Sequence, residues 1–171
     1  MDLIKYEKKY WDEGFQKIVG IDEAGRGPLA GPVVAASVIL KPYEIIEGVK
    51  DSKKLSSKKR RDLFNQIYEK ALSVGVGIVD EDIIDEINIL KATFLAMKKS
   101  LGNLNLKPDK VLIDGPYSDI TIYPTDYIVN GDNISQSIAA ASIIAKVTRD
   151  EIMYEYDKIF PDYKFINHKG Y

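Results

Sequence analysis

Four acidic residues stand where an α/β protein gathers its ligands. Asp22 and Glu23 follow the apolar run Ile18-Val19-Gly20-Ile21, Asp114 closes Lys110-Val111-Leu112-Ile113 just before Gly115-Pro116, and Asp132 lies between Gly131 and a long helical stretch. Ligand sites of open α/β sheets form at strand ends and the loops beside them, so acids supplied by separate strands can converge there. Carboxylates brought together repel one another, and their pKa values rise unless a cation neutralises them. Hard divalent cations such as Mg²⁺ and Mn²⁺ take oxygen ligands of this kind. Two such ions ~3.5–4 Å apart can activate water and stabilise a leaving oxygen in phosphodiester cleavage. Each acid also has a plainer reading. Asp after a strand is a common turn or cap residue, so Asp132 could cap the long helix and Asp114-Gly115-Pro116 could be a turn. The adjacent pair Asp22-Glu23 at the end of a buried strand fits that plainer reading least.

Beside the first pair runs Gly25-Arg26-Gly27-Pro28-Leu29-Ala30-Gly31. It is not a dinucleotide loop, which has G-x-G-x-x-G opening a helix; here the spacing differs, Pro28 and Pro32 interrupt, and a strand follows. Glycines let main-chain groups approach a substrate closely, and Arg26 offers a planar donor fork for phosphate or sugar oxygens. A tight turn with a solvated Arg26 is the alternative. Lys50 to Arg61 places seven Lys/Arg in twelve residues against one Asp. Cations at a helix start oppose the helix dipole, which favours a phosphate-binding role over a merely solvated face. Lys146 could reach a phosphate or stay exposed, and the lone histidine, His168, reads as a surface residue.

Composition narrows the field. The 171 residues contain no Cys and one His, which excludes disulfide frameworks, thiolate zinc sites, iron–sulfur clusters and thiol nucleophiles, and argues against a three-His zinc site or a Ser–His–Asp triad. The formal charge of −2 is not that of a typical nucleic-acid binder, but without the four acids it becomes +2. No apolar run approaches the ~20 residues of a membrane span, and no secretory signal opens the chain, so a cytoplasmic location is expected.

The elements that must position these residues follow from periodicity. Aromatic residues Tyr6, Tyr10, Trp11 and Phe15 suggest a short N-terminal helix or arm packed on the body. Strands are expected at 18–21, 32–40, 73–79, 110–114, 120–123 and 126–129. Helices are expected from Ser56 or Ser57 to Leu72 and, continuous or broken, from Asp80 to Leu101. The stretch from Asn133 to Phe160 lacks both Gly and Pro, and Ile134, Ile138, Ala141, Ala145, Thr148 and Ile152 recur at helical spacing. The expected class is α/β, a mixed sheet of about five strands flanked by helices in one domain over 1–171.

Several of these segments are motifs. Gly20-Ile21-Asp22-Glu23-Ala24-Gly25-Arg26-Gly27-Pro28-Leu29-Ala30-Gly31-Pro32-Val33-Val34-Ala35-Ala36 resembles the opening motif of bacterial ribonuclease HII. Asp51-Ser52-Lys53-Lys54-Leu55, Ile113-Asp114-Gly115, Gly131-Asp132 with Ser137 to Asp150, and His168-Lys169-Gly170-Tyr171 resemble that family's later motifs, in order. The resemblance implies a ribonuclease H-like fold and an endonuclease that uses Mg²⁺ or Mn²⁺, two ions with substrate, acting as a monomer. It implies cleavage of RNA in RNA–DNA hybrids and on the 5′ side of ribonucleotides embedded in duplex DNA, leaving 3′-hydroxyl and 5′-phosphate ends. Asp22, Glu23, Asp114 and Asp132 are then the catalytic, metal-binding acids. Gly25, Arg26 and Gly27 read the ribose 2′-hydroxyl, Tyr171 packs on the sugar at the RNA–DNA junction, and Lys53, Ser142 and Lys146 are further substrate contacts. The sister family, ribonuclease HIII, has a different loop in place of Gly-Arg-Gly. Two departures stand out: Asn130 replaces a Lys found in many members, and the family continues with a further helical segment after the position of Tyr171. A catalytically impaired nucleic-acid-binding module on the same fold is therefore the alternative, and a small-molecule phosphate or nucleotide binder is a third possibility.

Overall fold

The computed structural model describes residues 3–27, 30–116 and 118–159, apart from the side chains of 50–52. Five strands form one sheet in the order β3-β2-β1-β4-β5: β1 is Ile18–Ala24, β2 Val33–Ile39, β3 Ser73–Val79, β4 Lys110–Asp114 and β5 Thr125–Ile128. β1 pairs with β2 and β2 with β3 antiparallel, whereas β1 with β4 and β4 with β5 are parallel. The sheet is thus mixed, and β1 is the strand at which its sense changes.

Five α-helices surround it: α1 (Lys5–Asp12), α2 (Ser57–Lys70), α3 (Glu81–Ile87), α4 (Ile89–Gly102) and α5 (Gln136–Ile159). The β-branched and small residues of β2 explain its central place. Val34, Ala36 and Val38 face α2 and α5 with Ala139, Ala140 and Ile143, while Val33, Ala35 and Ile39 face α4 with Ala92, Ala96 and Met97. A strand buried on both faces needs apolar residues at every position rather than alternation. Helix starts follow side-chain chemistry: Ser56 accepts from the Lys59 amide (3.2 Å) and Asp80 from the Ile83 amide (3.1 Å). The expected interruption in the 80–102 stretch falls at Asn88, whose φ of 76° breaks the helical path while its side chain caps α4 through the Lys91 amide (3.0 Å).

Two expectations need correction. The 120–123 segment is not a strand: Ile120 turns into the α4-side core while Ile122 is 99% exposed, and the chain bends before β5. Ile134, counted among the helical positions, precedes α5 and is exposed. Between β5 and α5 lies instead a short 3-10 turn, Gly131–Asn133, which carries Asp132. The N-terminal segment does form a helix, with Tyr10 and Trp11 packed beside Ile18, Leu112, Ile128 and Ile138.

Helix α5 lies unusually close to β1. A Cβ built on Gly20 would stand 2.2 Å from the Ser137 carbonyl carbon and 2.4 Å from the Ile138 nitrogen, both backbone atoms. Only the absence of a side chain at Gly20 permits this approach. Gly20→Ala is expected to destabilise the protein by about 1–3 kcal/mol, the usual cost of overpacking, read as a lower urea midpoint at unchanged m-value.

Candidate functional site

Register brings two of the acids together. Ile21 on β1 sits beside Ile113 on the parallel β4, and both enter the core on the α4 side. Side chains alternate along a strand, so the next residues, Asp22 and Asp114, both turn to the α5 side. Asp22 retains 9% of its exposure and Asp132 6%, while Glu23 and Asp114 are half-buried. Asp132 reaches the same place from the 3-10 turn, whose backbone amides at Gly131 and Asp132 face the Asp114 carboxylate and favour its charged form. Asp132 does not cap the long helix; the Ser135 hydroxyl does so, accepting from the Ile138 amide (3.2 Å).

The electrostatics record the crowding. Burial pushes the Asp22 carboxyl well above its ordinary value, and the charges of Glu23 and Asp114 push it further. Burial likewise raises Glu23; the Asp22 side chain in hydrogen-bonding contact draws it down, Asp114 pushes it up, and Arg26 draws it down. Asp114 is raised by burial and by Asp132. Two cations answer this charge: Arg26 acts on Glu23, and the Lys53 ammonium lies 2.8 Å from Asp132 Oδ2, where Asp132, Asp114 and Asp22 together raise its pKa.

The residues fit a hard divalent cation on two observations. Every donor is a carboxylate oxygen, and Glu23 Oε2 is buried with no hydrogen-bond partner among the described residues, an arrangement that is costly unless a cation completes it. Among the described residues, no three acids already stand in closed ligating geometry, and a cation taking Asp132 Oδ2 would take it from Lys53.

A groove of about 370 Å³ leads from the acids, lined by Glu23, Gly25, Arg26, Lys53, Ser142 and Lys146 together with Arg60, Ile143 and Arg149. It unites most of the substrate-contact residues expected from sequence; Gly27, next along the chain, is exposed. Ser142, Lys146 and Arg149 recur along one face of α5 and form one wall. Lys146 is steadied by Asp150 at 3.1 Å. A larger hollow of about 730 Å³ between α2 and α5 contains none of the four acids. Tyr171 and His168 lie outside the described residues.

Arg149 is the residue the sequence reasoning missed. Its guanidinium is 2% exposed and donates from Nε to the Pro32 carbonyl (3.0 Å) and from Nη2 to the Ala30 carbonyl (2.8 Å). The Gly31 amide is held from the other side by Glu81 Oε2 (3.0 Å). Gly25, at φ 94°, passes so close that an added Cβ would stand 2.4 Å from Arg149 Nε. The glycine loop is therefore anchored by a buried arginine. Its place seven residues after Ser142, on the face already carrying Lys146, could have marked it as part of the groove wall, though not its contact with the glycine loop.

Residues 19–171 match the family described as Ribonuclease HII. The chain is 56% identical over 169 residues to a ribonuclease HII from Clostridioides difficile, covering 97% of this chain and 65% of that protein. It is also 56% identical over 171 residues to one from Acetivibrio thermocellus, covering all of this chain and 67% of that protein. The chain thus spans about two thirds of the length of the curated relatives it matches. Among solved structures, the ribonuclease H2 from Pyrococcus horikoshii superposes with a TM-score of 0.74 at 30% identity, covering 84% of this chain and 77% of that one. No described helix is long and apolar enough to cross a membrane.

The acid cluster makes a signed prediction. Asp22, Glu23 and Asp114 have raised pKa values in the fold, so each binds its proton more tightly folded than unfolded. Their contribution to stability is present below the ordinary carboxylate range of about 4 and is lost as pH rises through the raised values. In chelator, Asp114→Asn should therefore gain melting temperature relative to the parent protein as pH rises from about 4 to neutrality. A difference that stays flat with pH would refute this account of the cluster.

Proposed function

This chain belongs to the ribonuclease HII family, and on that footing we propose that it is a divalent-metal-dependent endoribonuclease acting on RNA–DNA hybrids and on duplex DNA carrying embedded ribonucleotides. The observation that carries the reading is the junction of the buried acid cluster with a cation-lined groove. Asp22, Glu23, Asp114 and Asp132 would hold Mg²⁺ or Mn²⁺. Such ions supply neutralisation of the cluster, activation of water and charge stabilisation at the leaving oxygen of a phosphodiester.

The chain's own groups do the rest. Lys53, Arg60 and Lys146 offset backbone phosphates along the groove, with binding that weakens as salt rises. Lys53, released from Asp132, has its ammonium at the junction between acids and groove. The loop at Gly25, Arg26 and Gly27 provides main-chain groups and a guanidinium beside Glu23, where a ribose would lie. The 2′-hydroxyl is what separates RNA from DNA, and donors built around it are left unpaired by deoxyribose. Sites of this kind discriminate by roughly 10⁴–10⁵. Arg149 and Glu81 hold the loop in place, so the reading group is stiff before substrate arrives and loses little on binding.

A duplex containing one ribonucleotide, incubated with Mg²⁺ or Mn²⁺, should be cut on the 5′ side of that residue to leave 3′-hydroxyl and 5′-phosphate ends, and an all-deoxy duplex should stay intact. Asp22→Asn should lower the cleavage rate by at least about 10²-fold, the scale of single preorganised electrostatic groups, while retaining its circular-dichroism spectrum. Binding without cleavage by the parent chain would favour the non-catalytic module, and cleavage by Asp22→Asn at the parent rate would overturn the acid assignment.

A further inference from the structure

A buried carboxylate lies outside both the acid cluster and the 19–171 span of the family match. Glu7, on α1, is 0% exposed. Its Oε1 accepts from the Ser135 hydroxyl and from the Ser137 amide at 3.3 Å, while its Oε2 is buried with no hydrogen-bond partner among the described residues. Burial raises its carboxyl. An acid so placed is expensive to keep, and packing alone would favour an apolar residue there.

What Glu7 holds is the segment that carries Asp132. The Ser135 amide donates to the Gly131 carbonyl (2.7 Å), as does that of Ile134 (2.9 Å), closing the turn around Asp132. The Ser135 hydroxyl, tied to Glu7, also accepts from the Ile138 amide and so fixes where α5 begins. One residue further on, the Gln136 amide donates to the Leu3 carbonyl (2.9 Å), so two points of the N-terminal segment grip the same stretch. The first four amides of a helix need acceptors, and a carboxyl group here meets both that need and the helix dipole.

We propose that Glu7 is a positioning residue for Asp132: through Ser135 it fixes the turn that presents the Asp132 carboxylate to the cation. The inference rests on the reading of Asp132 as a metal ligand. Groups hydrogen-bonded directly to a ligand typically alter metal affinity by about 10–100-fold when removed, and Glu7, acting through Ser135 and the turn, is expected at the lower end of that range.

The test is Mn²⁺ affinity by calorimetry without nucleic acid, alongside the melting temperature in chelator, for the parent chain and for Glu7→Ala, Glu7→Gln, Ser135→Ala, the Glu7→Ala/Ser135→Ala double variant and Asp132→Asn. Glu7→Ala and Ser135→Ala should each weaken Mn²⁺ binding by about 10-fold, the lower end of the range for groups that touch a ligand directly. Glu7→Gln, which keeps an oxygen acceptor toward Ser135, should restore most of it. The double variant should bind no more weakly than the weaker single variant, the signature of two groups acting through one link. Lower melting temperatures with unchanged Mn²⁺ affinity would reduce Glu7 to a structural anchor and overturn the proposal. Should Glu7→Ala fail to fold, Glu7→Asp takes its place: it shortens the reach to Ser135 but leaves the Ser135 hydroxyl to cap α5, and an unchanged Mn²⁺ affinity in that variant overturns the proposal. If Asp132→Asn binds Mn²⁺ as the parent does, the ligand assignment itself fails, which is distinguishable from failure of the Glu7 link.

Discussion

The structure is organised around an unfavourable interaction: carboxylates held side by side in a place poor in water. The parallel pairing of β1 and β4 leaves no choice in this. Once Ile21 and Ile113 are committed to the core on the α4 side, Asp22 and Asp114 must share the opposite face. The repulsion is met by groups that leave an opening for a mobile cation. The amides of the turn at 131–132 face Asp114, and Lys53 engages Asp132 from the rim with most of its side chain in solvent. A buried arginine among the acids would have quenched the cluster permanently. The one available, Arg149, is instead spent on backbone carbonyls of the glycine loop. Fixed neutralisation therefore goes to the loop, and displaceable neutralisation to the acids.

Mixed strand order explains why the loop and the acids meet at all. β1 returns antiparallel into β2 through the glycine loop, and it runs parallel to β4 on its other side. Both the turn and the carboxyl end of β4 consequently emerge at one edge of the sheet. An all-antiparallel sheet would have sent the end of β4 to the opposite edge. The change of sense at β1 is thus the topological counterpart of the crevice found in open α/β sheets.

Much of this was legible in the residues. Strands β1 to β4 and helices α2 and α5 followed from periodicity, because their apolar residues answer to one or two buried faces. Ser56 and Asp80 announced helix starts through cap chemistry that acts over three residues. The segment at 120–123 misled because Ile120 and Ile122 alternate as a strand would, yet only Ile120 finds a core to enter. Asp132 was legible as an acid at the right place in the chain but not as part of a 3-10 turn, since the cap role falls to Ser135. Arg149 and Glu7 were missed for a common reason. Each acts on backbone or hydroxyl groups more than 100 positions away in the chain, and local pattern carries no trace of such a contact.

These two long-range contacts also show how α5 serves the site. Gly20 lets the helix settle against β1 at Ser137, and twelve residues later Arg149 reaches the loop at Ala30 and Pro32. The helix is thereby fixed at its first turn and again near its middle relative to the strand that carries Asp22 and Glu23. The residues at its start close the turn that carries Asp132, and its next turns carry Ser142 and Lys146 along the groove. A rigid helix couples its two anchor points, so the acid cluster and the glycine loop cannot drift independently. That linkage is the reason a carboxyl group on α1, bonded to Ser135 at the start of α5, has leverage over the site.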